Sequence, residues 1–321
     1  MNLPHFIDYG FGISAIDAQY HRPGRAAIHL IAENGVAALV DTGTQFSVPG
    51  VMQVLKSKQI APEAVAYVLL THIHLDHAGG ASAFMEQLPN AKLVVHPRGA
   101  KYMVNPTKLI AGVKAVYGEA EFKRLYGEIH PIDEQRVIEA PDETRIDLNG
   151  RTLLLLDTPG HARHHYCIFD ERSQSFFTGD TFGVSYRELD VNGLEFVFPT
   201  TTPVQFDPAA AHASLHRIMS YHPQHAFLTH YSRIGHLPHH AAQMHDLIDA
   251  FVGIANEAAK ETADRHAYIV RAMKSLLCER LAAHGCTWRP EAIHELLRID
   301  IELNAMGLET WLNQSEQSNK T

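Results

Sequence analysis

The densest chemical signal in the chain is Thr71-His72-Ile73-His74-Leu75-Asp76-His77-Ala78-Gly79-Gly80, where three imidazoles and a carboxylate fall within six residues. Imidazole and carboxylate suit zinc, iron or manganese. The i, i+2, i+4, i+5 spacing fits a two-metal site better than one closed tetrahedral site. In a chain with 23 histidines a His-rich surface turn is the bland alternative. The context argues against it: the apolar run 67–70 immediately before reads as a buried strand, and a strand that ends in a tight turn aims alternating side chains at one point.

Other elements must hold that turn. Residues 26–33 and 36–40 flank Asn34-Gly35, a two-residue hairpin signal, so two strands are expected to open the fold. Residues 47–58 read as a helix with Val48, Val51, Val54 and Leu55 on one face and Pro49 in its first turn. Residues 78–88 read as a helix after the ligand turn, and 92–96 as a short strand stopped by Pro97. His96 therefore reads as a strand-end residue rather than a ligand. Residues 101–126 are mostly helical, with Tyr102, Tyr117 and Tyr126 as packing or channel-lining candidates. A second hairpin, 143–148 with 151–156, turns at Asn149-Gly150. Strands 166–169, 175–178 and 225–228 follow, with a helix at 207–220 that has Asp207 as cap and Pro208 at its first position. From about 239 to 313 the pattern is helical, with apolar residues such as Met244, Leu247, Ile248 and Phe251 at three and four spacing. The polar stretch 314–321 is expected to fray.

His72-x-His74-x-Asp76-His77 resembles the signature of the metallo-β-lactamase superfamily. Asp41-Thr42-Gly43, Thr158-Pro159-Gly160-His161, Thr178-Gly179-Asp180 and Thr229-His230 continue that family's pattern in order, over about residues 40–230. The resemblance implies an α/β fold, the αββα sandwich, over residues 1–236, and a helical subdomain at 237–321 like the one in glyoxalase II. It implies that His72, His74 and His161 hold one divalent ion and Asp76, His77 and His230 a second, with Asp180 between them and Asp41 accepting an imidazole N–H from behind. Zinc is the expected metal, with iron or manganese as alternatives.

The chemistry implied is hydrolysis of an activated carbonyl (thioester, ester or lactone) by hydroxide held between the ions, with Asp76 handling the proton. Tyr186 is expected to stabilise an oxyanion, and His164, His165 and Arg187 to touch substrate. The segment 181–186 lacks the Gly-Cys-Gly-Arg-like run typical of glyoxalase II, which leaves the thioester type open. A second reading is oxidative: persulfide dioxygenases carry a similar pattern and bind a single iron through the equivalents of His72, His161 and Asp180.

Composition bounds the partners. A net charge of −9 with no Lys/Arg run disfavours nucleic acid. The start of the chain has no basic-then-apolar leader pattern, and no run approaches the roughly 18 apolar residues of a membrane span, so a cytoplasmic location and a small-molecule substrate are expected. Three scattered cysteines, Cys167, Cys278 and Cys286, do not make a disulfide framework. Helical extensions often supply dimer contacts, which adds a homodimer to the expectations.

Overall fold

The computed structural model describes residues 5–201, 204–260 and 264–318. The chain forms two compact units. The first comprises the chain up to 157 with 164–179 and 223–233; the second comprises 158–163, 180–222 and the chain from 234 onward.

The first unit is built on two sheets. One sets β1 (Phe6–Asp8), β2 (Ile13–Asp17), β3 (Ala27–Glu33), β4 (Val36–Val40), β5 (Val65–Leu69), β6 (Lys92–Val95) and β7 (Val137–Glu139) side by side in chain order. It is antiparallel from β1 to β4 and parallel from β4 to β7. The other runs β13 (Ser232–Ile234), β12 (His225–Leu228), β11 (Ser175–Gly179), β10 (Tyr166–Asp170), β9 (Arg151–Asp157), β8 (Thr144–Leu148). Both expected hairpins form. Asn34 and Gly35 take φ of 46° and 82°, and Asn149 and Gly150 take 50° and 90°, the left-handed pair that a tight two-residue turn requires.

Alternation along each strand separates two apolar layers. Ile31, Val40, Leu69 and Val94 face Leu153, Leu155, Ile168 and Phe177 of the other sheet. Their neighbours Leu30, Leu39, Val68 and Leu93 point the opposite way, onto Val51, Val54 and Leu55 of the helix Val48–Ser57 and Phe84 and Met85 of the helix Ala81–Gln87. Each such side chain contributes about 1.5–3 kcal/mol on burial. A one-residue slip in any of these strands would turn both layers inside out.

Three sequence expectations need correction. β1 and β2 precede the first hairpin, so that hairpin does not open the fold. The helix read over 78–88 is two pieces, Leu75–Ala78 and Ala81–Gln87, separated at the glycine pair. The stretch 314–321 is helical through Ser318 rather than frayed, and its last three residues lie outside the described ones.

The second unit packs the helices Pro208–Ser220, Leu237–Ala258, Arg265–His284, Pro290–Leu296 and Arg298–Ser318. Leu237, Ala241, Met244, Ile248, Phe251 and Ala255 form a buried stripe along the longest of them. Asp207 and Asp264 cap two helices, accepting from Ala210 N at 3.0 Å and Ala267 N at 2.9 Å. Residues 158–163 and 180–222 belong with these helices, so this unit is wider than the 237–321 extension read from the sequence.

Candidate metal centre

The ligand-bearing turn is organised around one buried carboxylate. Asp41 follows β4 with φ of 60°, a left-handed conformation uncommon for a residue with a side chain, and is fully buried. Its Oδ1 accepts from Thr71 N at 2.8 Å and Thr71 Oγ1 at 3.0 Å, and its Oδ2 from Thr229 Oγ1 and His77 Nδ1 at 2.8 and 2.7 Å. The carboxylate thus ties the ends of β4, β5 and β12 together. Main-chain contacts complete the lock: Thr42 N and Oγ1 donate to His77 O at 2.7 and 2.6 Å, and Gly80 N donates to Gly43 O at 3.0 Å. A Cβ on Gly80 would lie 2.6 Å from Thr42 O, so that position requires glycine.

These bonds decide which ring nitrogens carry lone pairs. His77 donates Nδ1–H to Asp41, and His230 donates Nδ1–H to Arg25 O at 2.8 Å. In both rings Nε2 is left as the donor toward a metal. His230 Nε2 stands 3.3 Å and His77 Nε2 3.9 Å from Asp76 Oδ2. One ligand atom from each of Asp76, His77 and His230 lies within 4.8 Å of the other two, a donor set whose chemistry and span fit a divalent ion. The His72 ring packs against those of His74 and His77 with centroids at 4.5 and 4.0 Å, and its Nδ1 meets Thr71 Oγ1 at 3.2 Å.

The second unit holds a matching pair. His161 Nδ1 donates to Thr200 O at 3.2 Å, which again leaves Nε2 as the donor atom, 3.5 Å from Asp180 Oδ2. The turn that carries His161 is fixed by Asp207 N to Gly160 O at 2.8 Å, Ser214 Oγ to Pro159 O at 2.6 Å and Thr181 Oγ1 to Thr158 O at 3.1 Å. Gly160, at φ of 136°, sits so close to the helix Pro208–Ser220 that a Cβ would meet Ala211 Cα at 2.5 Å.

The residues expected to touch substrate are placed differently from one another. His165 is buried and stacks on His72 at 4.8 Å, while His164 lies 6.2 Å from His72 and edge-on to His74 at 5.7 Å. Tyr186 is buried, and its hydroxyl donates to Asp300 Oδ1 at 2.7 Å. Arg187 donates to Ser185 O at 2.9 Å and stands 3.5 Å from Asp190 Oδ2. Burial first raises the Asp190 carboxyl to about 6, against the pull of Arg187. His96 is the strand-end residue anticipated: its Nδ1 accepts from Arg98 N at 3.0 Å and caps the following helix.

Sequence reasoning missed several contributors. Thr71 and Thr229 each stand directly before a candidate ligand, and that Thr-His repetition was the available signal. Tyr20, whose hydroxyl meets that of Tyr126 at 3.2 Å, gave no signal. Burial first, and then the charge of Asp76, raise the phenols of Tyr20 and Tyr126, and Tyr117 reaches about 12.

Comparison with known proteins gives the family. Residues 21–241 match the sequence profile of the metallo-β-lactamase superfamily. The chain is 30% identical over 186 residues to the metallo-β-lactamase fold-containing protein ST1585 of Sulfurisphaera tokodaii, which is 57% of this chain and 64% of that one. Its crystal structure superposes with a TM-score of 0.63 at 25% identity, covering 92% of this chain and 98% of that one. The chain is 24% identical over 184 residues to the human acyl-coenzyme A thioesterase MBLAC2 (53% of this chain, 63% of the relative). It is 28% identical over 152 residues to the hydroxyacylglutathione hydrolase of Klebsiella pneumoniae (47% and 45%). The matched stretches thus span less than two thirds of each of these relatives. The profile match over most of the chain, together with the two-sheet α/β fold and its C-terminal helices, shows that this protein belongs to the metallo-β-lactamase superfamily.

Proposed function

We propose that this protein is a dinuclear, zinc-dependent hydrolase of an activated carbonyl in a small molecule: a thioester, ester or lactone. The observation that carries the proposal is the cluster of Asp76, His77 and His230, whose rings are each anchored through Nδ1 so that Nε2 faces the carboxylate. The presence of an acyl-coenzyme A thioesterase and a hydroxyacylglutathione hydrolase among its relatives supports the choice of substrate.

In this reading His72, His74 and His161 hold one ion, Asp76, His77 and His230 the other, and Asp180 serves both. When bound, the ions supply a water that ionises near neutral pH and a Lewis acid for the carbonyl oxygen. Asp41 keeps His77 in the required tautomer. Asp76, whose side chain is 25% exposed, receives and returns the proton. The Tyr186 hydroxyl is engaged with Asp300, so we assign it to positioning and leave direct substrate contact to His164 and its surroundings. The cysteines Cys167, Cys278 and Cys286, present as thiols, suit a cytoplasmic setting, and no helix among the described residues is long and apolar enough to cross a membrane.

The test is metal analysis of protein purified without added metal, paired with hydrolysis of acyl-coenzyme A, acylglutathione and lactone panels. Two zinc equivalents at this centre and hydrolysis that is lost on chelation and restored by zinc are expected. One iron, with oxygen consumption on a persulfide, would instead establish the dioxygenase reading.

A further inference from the structure

The second unit carries a group of histidines that the centre above does not use. His212 and His216 lie four residues apart on the helix Pro208–Ser220, and His245 and Asp249 lie four apart on the helix Leu237–Ala258, so each pair shares one helix face. The faces meet. The His212 and His245 rings are stacked, with centroids 4.8 Å apart and an interplanar angle of 8°, and the His216 ring lies 4.6 Å from that of His245. His212 Nδ1 approaches His245 Nδ1 to 2.5 Å, and its Nε2 lies 3.1 Å from Asp249 Oδ1.

We propose that His212, His216, His245 and Asp249 form a second, solvent-facing site for a divalent transition-metal ion of the zinc or nickel class, one that staples the two helices together. Three imidazoles and one carboxylate are a donor set such ions accept, and the two i, i+4 pairs supply it from facing helices. The cluster is hydrogen-bonded: His212 directs Nε2–H to Asp249 and its Nδ1 lone pair to the Nδ1–H of His245. Because His212 turns opposite nitrogens to its two neighbours, coordination requires its ring to rotate and the neutral His245 ring to change tautomer. Burial first, then the neighbouring His212 and His216, lower the pKa of His245 against the pull of Asp249, a direction that favours the neutral ring a metal requires. The side chains are open enough for entry: that of His212 is 25% and that of Asp249 76% exposed.

The experiment uses the full chain, loaded with zinc, passed through gel filtration and analysed for metal by mass spectrometry. The wild type is expected to retain one zinc equivalent more than either His245→Gln or the His212→Ala/His216→Ala double variant, at unchanged hydrolytic activity. Excess zinc should also raise the unfolding midpoint of the wild type by a few degrees more than that of the variants. Asp249→His, which adds a fourth imidazole, is expected to tighten the extra equivalent several-fold, and this holds as a test even if the other variants fold poorly. Equal zinc content in wild type and folded variants, or no tightening in Asp249→His, would overturn the proposal.

Discussion

Two histidine clusters in one chain are built on opposite plans. Around Asp41 the rings of His77 and His230 are each held from behind, by a carboxylate and by a main-chain carbonyl, and their Nε2 atoms converge on Asp76. On the helices of the second unit, His212, His216 and His245 rest on one another, and Asp249 is a partner of His212 from outside the three rings. The first arrangement fixes tautomer and direction toward an incoming ligand; the second fixes them toward its own internal bonds, which binding would have to undo. A histidine count does not separate the two cases. The acceptor on the far side of each ring does.

The sharpest way to break this comparison is at the residue proposed to serve both ions. Asp180→Ala is expected to lower kcat/KM on the order of 10³-fold with the fold intact; retained metal and turnover would sink the dinuclear assignment. Next comes the hub. Asp41→Ala leaves the Thr71 N–H and hydroxyl and the His77 Nδ1–H without their acceptor, which should cost about 3 kcal/mol in urea unfolding and weaken zinc binding roughly 10–100-fold. If only stability fell and zinc affinity did not, the carboxylate would be a brace for the strands and nothing more.

A histidine that belongs to neither plan sharpens the contrast. His29 lies in β3, fully buried against Phe177 and Phe227, and burial lowers its pKa from 6.5 to about 4. Its native form is neutral, while the unfolded chain takes up a proton below about 6.5. The stabilisation is therefore complete above pH 6.5, declines as pH falls toward 4 and levels off below, a span of about 3 kcal/mol. His29→Leu should flatten the stability profile in that window, as read by denaturant unfolding at pH 7, 5.5 and 4. The smallest effect is expected at His96, where His96→Ala removes a helix cap worth about 1 kcal/mol and leaves metal content untouched.

Local rules carried far in this sequence. Asn34-Gly35 and Asn149-Gly150 dictate their turns because few other pairs accept φ above zero twice in succession. The cap at Asp207 and the apolar stripe of the helix Leu237–Ala258 were equally plain. What escaped depends on distant partners. Tyr186, six residues after Asp180, is expected from the sequence to stabilise an oxyanion, yet its hydroxyl donates to Asp300, 114 positions along the chain. β1 is three residues long, too short for periodicity to register, and it forms because β2 supplies its ladder. The candidate ligands were legible by type and spacing, whereas the carbonyls of Arg25 and Thr200 that orient two of them have no side-chain signature at all.

The back-and-forth path of the chain between the two compact units has an evolutionary corollary. Because segments 158–163 and 180–222 are spliced into the helical unit, neither unit is a contiguous cassette that a single recombination event could shuffle, and a stop codon after residue 236 would strand those segments without the helices they pack beside. Variation in the C-terminal helices and variation in those segments should therefore have been inherited together.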